Sequence, residues 1–112
     1  MIQVPQLQPQ DLGALAAQSP PPVLLDVREP WELARARIEP PGVELMHVPM
    51  RAVPPRLPEI PRGRPVVCLC HHGVRSAQVA AFLIHHGWDR VVNLAGGIDA
   101  WSIQVDPSVP RY

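Results

Sequence analysis

Four short apolar runs punctuate the chain: Val23-Leu24-Leu25, Leu45-Met46-His47-Val48, Val66-Val67-Cys68-Leu69 and Val91-Val92-Asn93-Leu94. Each is continuous rather than alternating, the pattern of strands buried on both faces. Between the last two, Gly73 to His86 predicts a helix. Its stretch from Val79 to Ile84 is apolar all round, as in a helix pressed deep against a sheet. Gly87 supplies a left-handed position after it, with Trp88 folding back on Leu83. His85 and His86 suit the negative helix end. A shorter helix is expected from about Pro9 to Ala17, with proline near its first turn, and another over Pro30 to Arg37. Met50 to Pro65 carries five prolines. Proline breaks helix interiors, so one short helical turn followed by extended chain is expected there. Val105 to Tyr112 reads as a surface tail. Strands alternating with helices imply parallel pairing. That would bring the ends of the Val23 and Val66 strands to one edge of the sheet.

The length of 112 residues suits one domain, and 46% hydrophobic residues suffice for a packed core. Ten basic and ten acidic residues balance, so no nucleic-acid or membrane partner is called for. No apolar run approaches the ~20 residues of a membrane helix. Met1 to Gln10 lacks the basic start and apolar stretch of a secretory signal, so a cytoplasmic location is expected. The two cysteines, Cys68 and Cys70, stand two apart on one predicted strand. Positions i and i+2 lie about 6.5 Å apart there, which argues against a disulfide between them. His71 and His72 directly follow Cys70, which is the wrong spacing for closed tetrahedral zinc ligation. No metal is expected.

The chemistry concentrates in Cys70-His71-His72-Gly73-Val74-Arg75-Ser76, between a strand and a helix. Open α/β sheets hold ligands outside the carboxyl ends of their strands. A free cysteine is only about 3% thiolate at neutral pH, so a reactive one needs groups that favour the anion. A helix terminus supplies ~0.3–1 kcal/mol. The backbone N–H groups of His71 through Arg75 are expected to converge on sulfur and supply more, with Gly73 permitting the tight backbone. Ser76 can add a hydroxyl hydrogen bond. Arg75 is expected to brace the loop and bind an anion. A thiolate so placed, with no metal or general base, attacks another sulfur and keeps it as a persulfide.

Three stretches together resemble a known family. Leu25-Asp26-Val27-Arg28-Glu29-Pro30-Trp31-Glu32, the Cys70–Ser76 loop and Asn93-Leu94-Ala95-Gly96-Gly97-Ile98-Asp99-Ala100-Trp101 are similar to the three motifs of single-domain rhodaneses, the thiosulfate sulfurtransferases. The resemblance covers about Leu7 to Trp101, leaving 102–112 as a tail. It implies an α/β fold with a five-stranded parallel sheet flanked by helices on both faces, a catalytic Cys70 and no cofactor. It also implies a small anionic sulfur donor such as thiosulfate, and cyanide or a thiol as acceptor. Four residues separate Cys70 from Arg75, the spacing of the family's sulfurtransferases. Related phosphatases and arsenate reductases carry five, a ring wider by up to about 3.6 Å of contour. Ala36 to Val43 departs from the family's usual Gly-His-Ile-Pro-Gly-Ala segment. Two rival readings follow: a persulfide carrier or binding module serving a protein sulfur acceptor, and an oxyanion enzyme of the phosphatase or arsenate reductase kind.

The remaining candidates divide by residue type. Asp26 is expected to hydrogen-bond loop amides. Arg28 is left open between pairing with a carboxylate such as Glu32 and attracting an anionic donor. The rings of His71 and His72 are open between solvated loop groups and substrate contacts. Gly96 and Gly97 are expected to form a turn close to the active loop. Cys68, Trp31, Trp88 and Trp101 read as packing residues.

Overall fold

A computed structural model describes residues 2–112; Met1, where the expected domain begins, lies outside the described residues. The chain runs β1 (Gln6–Leu7), α1 (Leu12–Ala16), β2 (Val23–Asp26), α2 (Pro30–Arg35), β3 (Glu44–His47), β4 (Val66–Leu69), α3 (Val74–His85), β5 (Val91–Leu94) and α4 (Gly97–Gln104). The strands form one sheet in the order β1-β5-β4-β2-β3, and every pair is parallel. The path leaves β2 toward one edge and leaves β4 toward the other. Their adjacent carboxyl ends are therefore the switch point at which such sheets bind ligands.

β2 and β4 are fully buried, as their continuous apolar runs require. β3 is different: it forms a sheet edge, with Glu44 exposed and the other three residues half-buried, so it is not covered on both faces as its sequence suggested. Side chains alternate across the sheet. Leu25, Val66, Cys68 and Val91 point to the layer holding Val79, Ala80 and Leu83 of α3. Leu24, Val67, Leu69 and Leu94 meet Leu12 of α1 with Ile98 and Trp101 of α4. No described helix is long and apolar enough to cross a membrane.

Several boundaries differ from the sequence expectation. α3 buries a single stripe, Ser76, Val79, Ala80 and Leu83, while Ala81, Phe82 and Ile84 are half-buried. One sheet face can cover only one side of a helix, however apolar the rest. Its end follows expectation. Gly87 has φ of 97°, the Trp88 N–H donates to the Leu83 carbonyl at 3.0 Å, and the Gly87 N–H donates to Ile84 at 3.0 Å. The proline-rich connection holds two 3-10 turns, Met50–Ala52 and Leu57–Glu59, rather than one. Trp88 and Trp101 are buried, but Trp31 is 60% exposed, which corrects its reading as a packing residue. The segment after residue 101 also departs from a surface tail. α4 continues to Gln104, Val109 is buried, and the Ser102 hydroxyl donates to the Val109 carbonyl at 2.9 Å.

Candidate active site

β4 ends at Leu69 and delivers Cys70 to the switch point. The Cys70 side chain is 1% exposed. Its Sγ accepts the Gly73 N–H at 3.1 Å and the Ser76 hydroxyl at 3.2 Å. The expectation that N–H groups from His71 through Arg75 would converge on sulfur is thus narrowed: among the described residues, Gly73 and Ser76 donate to Sγ. Gly73 stands at φ of 99° as the residue before α3, a left-handed conformation that glycine adopts without steric cost.

The loop is held from behind by the turn into α4. The N–H groups of Ile98 and Asp99 donate to the carbonyls of Cys70 and His71 at 2.9 and 3.1 Å. The Gly73 carbonyl accepts the Asn93 amide at 3.0 Å. With the carbonyls engaged behind the loop, the Gly73 N–H faces sulfur. The approach demands glycine at position 97. A Cβ there would lie 2.4 Å from the His71 carbonyl oxygen and 2.5 Å from that of Cys70. The expected closeness of Gly96 and Gly97 to the loop is therefore physical contact. Asn93 could have been found from sequence, since a polar residue inside a buried apolar run needs a partner.

Charge around the loop is tightly paired. Arg75 grips Glu32 with both guanidinium ends, Nη1 to Oε1 at 2.6 Å and Nη2 to Oε2 at 2.8 Å. These bonds brace the far end of the loop and commit one N–H on each Arg75 Nη to Glu32. Glu32 also accepts the Glu29 N–H at 3.1 Å, capping α2, and the Tyr112 hydroxyl at 2.8 Å. The Arg75 hydrogen bonds, opposed by burial and aided by Glu29 and Tyr112, hold the Glu32 carboxyl down at about 2. Glu32 was weighed from sequence only as a partner for Arg28. Its place three residues after Glu29, at the head of a helix, was the available signal.

Asp26 and Arg28 form a pair with both side chains 0% exposed, joined at 2.8 Å from Nη2 to Oδ2 and 2.9 Å from Nε to Oδ1. Asp26 Oδ1 also accepts the Arg28 N–H at 3.1 Å. The open question about Arg28 resolves toward pairing, with Asp26 rather than the Glu32 carboxylate as partner, and its burial removes it from contact with a donor. Arg28 reaches α2 through the Glu32 carbonyl, 3.4 Å from Nη1.

The His71 ring is stacked between His72 and Tyr112, each centroid 3.9 Å away. Burial, followed by His72, pushes the His71 imidazole below its usual value, against the pull of Asp99 and Glu32. His72 and Val74 are exposed at the loop's outer side. His71, His72 and Asp99 bring potential metal-ligand atoms within 4.8 Å of one another. Asp99 already accepts from Arg111 at 2.8 and 3.3 Å, which offsets the charge a cation would draw on. Cys68 lies in the core, and burial pushes its thiol well above the ordinary range.

A five-stranded parallel sheet with a strand-end cysteine, a short loop and a helix start defines an α/β class that presents a thiol at its ligand-binding edge. A family profile described as the Rhodanese-like domain matches residues 8–104, and the chain belongs to that family. It is 37% identical over 99 residues to a sulfurtransferase of Allochromatium vinosum, covering 88% of this chain and 89% of that protein. A rhodanese-like domain protein from Staphylococcus aureus superposes with a TM-score of 0.75 at 29% identity, covering 97% of this chain and 99% of that one. The polysulfide-sulfur transferase homodimer from Wolinella succinogenes gives a TM-score of 0.68 at 28% identity, covering 90% and 74%. The chain spans less than a third of some longer relatives. Family and relatives together support a sulfurtransferase activity in general terms.

Proposed function

We propose that this domain moves a sulfane sulfur from an anionic donor such as thiosulfate to cyanide or a thiol through a persulfide on Cys70. The Cys70 thiolate attacks the outer sulfur of thiosulfate. An S–S bond forms to Cys70 while the bond to the sulfonate sulfur breaks, and its electron pair leaves with sulfite. Cyanide then attacks the outer sulfur, giving thiocyanate and returning the Cys70 thiolate. The observation that carries the reading is the pair of donors on Sγ, the Gly73 N–H and the Ser76 hydroxyl. Both favour negative charge on sulfur. His71, His72 and Val74 form the rest of the loop. Arg75 braces it, Asp26 and Arg28 support the strand end beneath it, Gly97 admits its carbonyls, and Gly96 turns the chain into α4. A thiol acceptor on a small molecule or on a partner protein fits the same second step, in a reducing, cytoplasmic setting.

The test is intact-mass measurement of the reduced protein after thiosulfate, beside Cys70→Ser. A gain of about 32 Da, absent in Cys70→Ser and removed by cyanide, is the expected result. Rapid thiocyanate release identifies an enzyme, and loading without turnover identifies a carrier. No adduct, or one that persists in Cys70→Ser, refutes the persulfide reading.

A further inference from the structure

The segment after α4 returns to the active loop. The Ser102 hydroxyl holds the Val109 carbonyl at 2.9 Å, and Arg111 clasps Asp99 at 2.8 Å. These ties seat Tyr112, which lies outside all three motifs, against the site. The Tyr112 hydroxyl accepts a hydrogen bond from Arg28 Nη1 at 3.0 Å and donates one to Glu32 Oε2 at 2.8 Å. Its ring lies flat on His71, 3.9 Å between centroids and 7° between planes. The Trp31 ring stands nearly perpendicular to it, 6.2 Å between centroids and 83° between planes. One side chain therefore touches the buried pair under the loop, the carboxylate that braces Arg75, and the residue next to Cys70.

We propose that Tyr112 is a positioning residue of the sulfur-transfer site, acting through Glu32 and His71 on the shape of the Cys70–Arg75 loop. The claim rests on the function proposed above only for its kinetic readout. The physical reason lies in the charges. Glu32 stands near two guanidinium groups, Arg75 and Arg28. Arg28 is already neutralised by Asp26, and the Tyr112 hydroxyl stands between Arg28 Nη1 and the Glu32 carboxylate, accepting from one and donating to the other. Glu32 is thereby left to Arg75, with two bonds at 2.6 and 2.8 Å. Without the hydroxyl, Arg28 Nη1 and Glu32 Oε2 each lose a partner. The carboxylate then lacks one of the donors that place it, and its hold on Arg75, which ends the loop, loosens. The stacked ring does the complementary work at the loop's beginning by fixing His71.

The test is a double-mutant cycle of Tyr112→Phe with Glu32→Gln, plus Tyr112→Ala, each followed by kcat and KM for thiosulfate and by the Gly73 amide resonance. Tyr112→Phe keeps the ring and removes the bridge. It is expected to stay folded, to lower kcat about ten- to a hundredfold, as for loss of a hydrogen bond to a charged group, and to shift the Gly73 amide. In the Glu32→Gln background the same change should add almost nothing, because the bridge ends on that carboxylate. Tyr112→Ala should fall further than Tyr112→Phe through loss of the stack; equal effects overturn the ring's part. An equal effect of Tyr112→Phe with and without Glu32→Gln overturns action through Glu32, as does an unchanged Gly73 amide. Should the wild-type protein take no sulfur from thiosulfate, the proposed function fails, while the Gly73 amide still decides the positioning claim.

Discussion

Replacing Glu32 by glutamine removes the charge that joins α2 to the active loop, and its cost can be worked from the structure. The carboxyl is 4% exposed and bound by both ends of Arg75. Those bonds hold it at about 2, against an ordinary 4.5. At ~1.4 kcal/mol per unit, that gap corresponds to roughly 3 kcal/mol of stability at neutral pH. Glutamine keeps an acceptor for the Glu29 N–H and leaves Arg75 partly open to water, so the variant should lose about 2–3 kcal/mol. The sign with pH follows from a carboxyl depressed on folding. Its contribution is complete above its unfolded value and fades as pH falls toward its folded one. The difference between wild type and Glu32→Gln should therefore be largest near neutrality, fall to less than half by about pH 3, and vanish below about pH 2. Urea unfolding of both proteins, followed by tryptophan fluorescence at about pH 7, 5 and 3, measures it. A difference under about 1 kcal/mol at neutral pH, or one unchanged at about pH 3, would show that Glu32 is not held by Arg75 as described.

Two further substitutions test the parts of the site that carry no chemistry themselves. Gly97→Ala puts a Cβ into the carbonyls of Cys70 and His71 at a residue with φ of 64°. It should cost about 3 kcal/mol or more in urea unfolding, and a near-neutral result would mean that the α4 turn does not press on the loop. Asp26→Asn leaves Arg28 buried without its counter-charge. It should destabilise by about 3–5 kcal/mol, and a loss below about 1 kcal/mol would mean that Arg28 finds water or another partner.

The sequence by itself determined the elements whose cause is local. Continuous apolar runs mark the fully buried β2 and β4. Gly87 followed by Trp88 specifies the end of α3, and the order of strand, Cys70, Gly73 and helix places a thiol at a sheet's carboxyl edge. Gly97 announces a close backbone approach because only a residue without Cβ permits one, and Gly96 before it supplies the left-handed turn into α4. Whether an apolar stretch is covered was decided by its neighbours in space. β3 became a sheet edge, α3 showed the sheet one stripe, and Trp31 stayed in solvent although it sits in a motif with buried neighbours. The partners of charged side chains belong to the tertiary structure alone. Asp26 and Arg28 are two residues apart, yet Glu32 meets Arg75 across 43 positions and Tyr112 across 80. An ion pair depends on distance between charges, and chain order places no bound on that distance until the sheet has brought the ends of β2 and β4 side by side. For the same reason Tyr112, at the end of what read as a surface tail, carried no signal of its contact with the active loop.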